Sequence, residues 1–243
     1  MGKKIEADIN IKWLLRLNLL TSSYYMLAYL CLTISMSYIL SSSIFVFSLF
    51  TGIYLMSMGI GSILINKIPF SEKNIQPIIL SISIIGILLI NPGVIGLMYL
   101  NEYLFYIFRN SQTNYINITL IYGISLTIFI GILSGSELPL FSKLLEAQKK
   151  EQSELLVKVL SFDYFGTCIG VILFNFLMFP FWGLTNSILI SQSFAIIGLW
   201  FIFYKMGVLP NKYYRYLILV TLYCIFSIMM KDEFLLSINK LSF

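Results

Sequence analysis

The sequence predicts an all-α protein, a polytopic bundle of about seven transmembrane helices in a single domain over residues 1–243. Three observations lead there. The chain is 58% apolar and only 11% charged, with a mean hydropathy of +0.88, which leaves too little charge to cover a soluble surface of this length. Apolar runs recur at about the 18 residues or more needed to cross a bilayer core of roughly 30 Å. The charged residues gather between those runs. Backbone groups in hydrocarbon must be bonded within their own segment, so such runs are helices.

The opening residues Met1-Gly2-Lys3-Lys4-Ile5-Glu6 carry charge but precede no small-residue cleavage site, so no removable signal peptide is expected. The spans fall at roughly 17–40, 44–65, 77–100, 117–136, 159–180, 185–204 and 214–230. Short connections at Ser41-Ser42-Ser43 and Trp182-Gly183-Leu184 join neighbouring spans as tight hairpins. The third run is interrupted by Asn91-Pro92-Gly93 and stays apolar to Phe108. A kink at Pro92, which lacks a backbone donor, accounts for it, with a re-entrant hairpin as the alternative. Residues 231–243 alternate charge with Phe234, Leu235, Ile238 and Leu241 at helical spacing, as in an interfacial tail.

The basic residues fix an orientation. Thirteen Lys and Arg lie in the N-terminal tail and the loops after spans two, four and six, whereas three (Arg109, Lys231 and Lys240) lie on the other side. That asymmetry places the N-terminus in the cytoplasm of a cell whose inner membrane holds the chain, with the C-terminus outside if there are seven spans. The net charge of +5 therefore reads as an orientation signal, and no nucleic-acid partner is expected. Tyr and Phe flank the spans, as in Tyr213-Tyr214, and suit interfacial belts.

Histidine is absent, which removes imidazole bases, Ser-His-Asp triads and most zinc or haem sites. Cys31, Cys168 and Cys224 lie singly in apolar runs, far apart, and read as small buried residues. No metal, cofactor or catalytic residue is expected. Two ionisable residues at span ends stand out: Glu137 in Gly135-Ser136-Glu137-Leu138-Pro139-Leu140, and Asp163 in Ser161-Phe162-Asp163-Tyr164-Phe165-Gly166. They fall at similar depth on consecutive spans, where they can bind a cation or form structural ion pairs with Arg16 or Lys158. Gly52, Gly59 and Gly61 on span two, with Gly166 and Gly170 on span five, suit close helix approach rather than a nucleotide loop, which would need a preceding strand. Asn175 and Gln192 are expected to bond between helices.

Three stretches resemble the membrane region of the membrane-bound, transporter-like spermidine synthases. They are Met58-Gly59-Ile60-Gly61-Ser62, then Gly135-Ser136-Glu137-Leu138-Pro139-Leu140-Phe141-Ser142-Lys143-Leu144-Leu145, then Ser161-Phe162-Asp163-Tyr164-Phe165-Gly166 running on to Phe179-Pro180-Phe181-Trp182-Gly183-Leu184. The resemblance is clearest over residues 50–205. It implies a membrane module whose relatives continue into a soluble aminopropyltransferase domain with a Gly-rich loop and catalytic aspartates, for which this sequence has no counterpart. A looser similarity to half of a major facilitator transporter lies in span two, although Asn66-Lys67 stands where those transporters carry a basic loop motif.

The expectation is therefore a non-catalytic membrane subunit or anchor in a lipid bilayer. It would pack with partner membrane proteins or its own copies and serve a separately encoded soluble domain. The alternative is a transporter half or polyamine carrier that uses Glu137 and Asp163.

Overall fold

The computed structural model describes residues 11–68, 72–107, 112–146 and 152–206, with positions 218, 221 and 222. Every element among them is helical. They are α1 (Ile11–Leu40), α2 (Ser43–Lys67), α3 (Glu72–Ile107), α4 (Gln112–Glu146), α5 (Gln152–Ile172) and α6 (Phe179–Met206). A π-helical turn, Leu173–Met178, joins α5 to α6. Five helical runs are long and apolar enough to cross a membrane: Lys12–Leu40, Ser43–Lys67, Ser81–Leu104, Ile116–Leu144 and Leu156–Ile202.

Among the described residues the number is five, against the expected number of about seven. The last run, 47 residues long, holds two of the expected spans. The backbone breaks inside it at Gly183, whose φ of 69° and ψ of −177° are not helical. Gly166 on α5 lies against Leu19 of α1, and Gly198 on α6 lies against Leu20. Residues on either side of the break thus return to the same turn of α1, so the chain reverses at Gly183. The expected span 214–230 and tail 231–243 lie outside the described residues.

The α1–α2 link is Ser41 and Ser42, and Ser41 takes a left-handed φ of 51°. α3 is one helix of 36 residues running unbroken through Asn91-Pro92-Gly93, so no re-entrant hairpin forms there. Asn91, beside the donor-less Pro92, turns its side chain to α1 and α6 instead. α4 likewise continues past Pro139, whose ring removes the bond to the Gly135 carbonyl.

α1 is the central helix. Of the five apolar windows, its own is the most buried, at 56%. It touches each of α2 to α6. Along it Leu14, Leu17, Tyr25, Leu32 and Met36 are all nearly inaccessible. α2 instead buries one stripe, Val46, Phe50, Tyr54, Ser57 and Gly61, at steps of three and four. Its other side is apolar and exposed, with Ile44 at 86% and Leu55 at 60%.

Glycines set the tightest contacts. A Cβ on Gly131 would lie 2.8 Å from the Tyr54 carbonyl, and one on Gly135 would overlap the Met58 carbonyl. A Cβ on Gly61 would overlap the Ile132 carbonyl from the other direction. α2 and α4 therefore pack in parallel with their backbones nearly touching. The same holds for α1 and α5, where a Cβ on Gly166 or Gly170 would lie 2.5 or 2.6 Å from the Leu19 or Ser23 carbonyl. Each pair is a Gly-x-x-x-Gly step, the spacing that lets two helix backbones approach closely. Gly52 and Gly59 correct the expectation of close packing along span two: a Cβ added at either would meet no neighbouring helix within 4 Å.

Candidate functional site

The polar side chains of α1 form a line. Asn18, Thr21, Ser22 and Tyr25 follow one another at helical spacing, and all four are buried. Glu137, from the first half of the Glu-Leu-Pro element on α4, is 2% exposed. Thr21 Oγ1 donates to its Oε2 at 2.6 Å, and Ser83 Oγ of α3 donates to Oε1 at 3.1 Å. The Tyr25 hydroxyl faces the same carboxylate. It makes no hydrogen bond of good geometry. Gly86 of α3 makes room for it, since a Cβ there would lie 2.6 Å from the hydroxyl oxygen.

Asp163 of α5 is half-buried and accepts a short hydrogen bond from Ser22 Oγ. Neighbouring hydroxyls of α1 thus hold the two carboxylates, one on α4 and one on α5. The hydrogen bonds that hold both carboxylates come from hydroxyls of α1 and α3. Arg16 is exposed, with its guanidinium 4.3 Å from the Trp13 ring centroid. That stacking takes the place of the expected ion pair. Lys158 is exposed on α5. Lys143 lies in the last turn of α4, where its Nζ donates to the Ile65, Asn66 and Ile68 carbonyls at 2.9, 3.4 and 3.3 Å. It thereby caps the C-terminal end of α2 with a positive charge.

A second polar cluster ties α1, α3 and α6 together. Asn91 Nδ2 donates to Gln192 Oε1 at 2.6 Å and to the Ile188 carbonyl at 3.1 Å. Tyr24 donates to Asn91 Oδ1 at 3.1 Å, and Gln192 Nε2 to the Ile87 carbonyl at 3.1 Å. Gln192 thus bonds between helices. Asn175 corrects its expected role: exposed on the π-helical turn, it donates to Val171 of its own helix at 2.9 Å. Asn91→Ala removes the hydrogen bonds of Asn91 with Gln192 Oε1 and the Tyr24 hydroxyl. We expect a loss of about 1–2 kcal/mol, read by thermal unfolding in detergent. An unchanged midpoint would show that the cluster contributes nothing net.

Sequence reasoning found Glu137 and Asp163 but missed Thr21, Ser22, Tyr25 and Ser83. The spacing of Asn18, Thr21, Ser22 and Tyr25 was the available signal. It also missed Gly131-x-x-x-Gly135, whose spacing is itself a helix-packing signature. Among the described residues no group of three or more His, Cys, Asp or Glu can hold a metal ion.

The fold and this site define an all-helical chain of long apolar helices around a buried glutamate. Within that class the chain is similar to the polyamine aminopropyltransferase of Leptospira interrogans, at 32% identity over 183 residues, 75% of this chain and 33% of that protein. It is also similar to polyamine aminopropyltransferases 1 and 2 of Ralstonia nicotianae, each 26% identical over 175 residues and 70% of this chain. The chain spans about a third of the length of these curated relatives. No protein-family model matches it, and no solved structure does.

Proposed function

We propose that this chain is a membrane-spanning, non-catalytic module that serves polyamine aminopropyl transfer by packing against partner proteins or its own copies. The observation that carries the reading is the match of three-quarters of the chain to a third of an aminopropyltransferase. Its apolar exterior supports it. Phe176, Phe181 and Ile44 are 71%, 74% and 86% exposed, and large apolar side chains favour a nonpolar surrounding by about 1.5–3 kcal/mol each. A bilayer supplies that surrounding along whole helices.

The helices cross the inner membrane with the N-terminus in the cytoplasm. A cysteine placed at Lys149, with Cys31, Cys168 and Cys224 replaced, should then resist a membrane-impermeant thiol reagent in intact cells and react after permeabilisation. Labelling in intact cells would reverse the orientation. Purification of the tagged chain in mild detergent tests the role itself. A fixed stoichiometric complex with an aminopropyltransferase polypeptide is expected. Recovery of the chain alone, with no such polypeptide, would overturn the reading. A carrier of small cations is the second reading, favoured by the two carboxylates that neighbouring hydroxyls of α1 hold between helices.

A further inference from the structure

We propose that Glu137, Thr21, Ser83 and Tyr25 form a binding site for a bare monovalent cation of sodium size. The donor set is all oxygen: one carboxylate and three hydroxyls, contributed by α1, α3 and α4 and buried together. Such a set suits a hard cation. The single formal charge of Glu137 is neutralised by one positive charge, and Asp163 is engaged separately by Ser22.

The hydroxyl protons strengthen the case. Thr21 Oγ1 lies 3.1 Å from the Leu17 carbonyl as well as 2.6 Å from Glu137. Ser83 Oγ lies 3.1 Å from the Ile79 carbonyl as well as 3.1 Å from Glu137. Each hydroxyl has one proton and more than one acceptor within reach, Thr21 having the Asn18 carbonyl at 3.1 Å as well. When a cation binds, both protons turn to the backbone carbonyls one helical turn away, and both oxygens offer lone pairs to the ion. The Tyr25 hydroxyl, 1% exposed and facing Glu137 without a hydrogen bond of good geometry, then gains a partner. Buried polar groups are rarely left so, and a ligand resolves the deficit. Asn18 Oδ1, another buried acceptor without a partner on the same face of α1, adds to the surplus of acceptors.

The test uses the full chain purified in detergent in choline chloride. Sodium chloride replaces the choline stepwise at constant ionic strength while thermal unfolding is followed. A saturable rise in Tm with sodium is expected, because a ligand of the folded state stabilises it by mass action. Glu137→Gln should abolish the rise, and Ser83→Ala and Tyr25→Phe should each weaken the apparent affinity several-fold. If Glu137→Gln fails to fold, the Ser83 and Tyr25 variants carry the test. Equal Tm in sodium and choline overturns the site, as does a sodium shift that all the variants retain. A midpoint that follows pH and ignores sodium also overturns it and assigns the cluster to protons. The proposal rests on the membrane-spanning reading. Failure of that reading would appear as protein recovered without detergent in the soluble fraction, whereas failure of the cation site leaves membrane fractionation unchanged.

Discussion

Gly135→Leu is expected to abolish the yield of folded, monodisperse protein in detergent. A Cβ at this position meets Met58 Cα at 2.5 Å and its carbonyl carbon at 2.6 Å, and overlaps the carbonyl oxygen. These are backbone atoms of α2, so no rotamer change relieves the clash and the two helices must separate. Separation also removes the contacts of Gly61 and Gly131 in the same seam and pulls Lys143 from the carbonyls it bonds. Overpacking of a core side chain costs about 1–3 kcal/mol, occasionally more. A collision with a neighbouring helix backbone belongs at the top of that range or above it. Gly59→Leu is the control. It sits on the same helix as Gly61, yet nothing lies within 4 Å of it, and a change of less than about 0.5 kcal/mol is expected. A Gly135→Leu protein with the parent's unfolding midpoint would refute the close parallel packing of α2 and α4.

The contrast between Gly59 and Gly135 marks where the sequence stops being legible. Hydropathy identifies apolar helices because it depends only on local composition. The face a helix turns to its neighbours is another matter. α2 is apolar on every side, so its buried stripe through Val46, Phe50, Tyr54, Ser57 and Gly61 cannot be separated from its outer face by hydrophobicity. Small residues permit close approach without saying where it occurs, and Gly59 and Gly61 point different ways. The glutamate was legible because a charge in an apolar run is conspicuous. Its partners were not, since Thr21 and Ser83 lie 116 and 54 residues away in sequence. Only the register of three helices brings them together. The count of spans differs for another reason. Residues 156–202 are one apolar helical run in composition, which the break at Gly183 divides where the sequence places a hairpin, and the expected span 214–230 lies outside the described residues.

That torsion yields the last prediction. Gly183→Ala is expected to destabilise the protein by about 1–3 kcal/mol, although nothing lies within 4 Å of the added Cβ. The cost comes from the backbone. At φ 69° and ψ −177° an L-residue sets its Cβ against its own main chain, and this region is populated almost entirely by glycine. To relieve the strain Gly183 must move towards helical torsions, which would straighten the reversal between α5 and α6. Gly166 and Gly198 could then no longer both rest on α1, and Asn91 would lose Gln192. Gly59→Ala provides the opposite case with equally open surroundings. Its backbone is already helical, so alanine should be neutral or stabilising by up to about 1 kcal/mol through helix propensity alone. Paired unfolding curves in one detergent read the difference. Space around the side chain predicts the same result for both sites, and backbone conformation predicts opposite signs. Equal midpoints for the two variants would mean that Gly183 is not held in the left-handed region and that α5 and α6 do not turn back there.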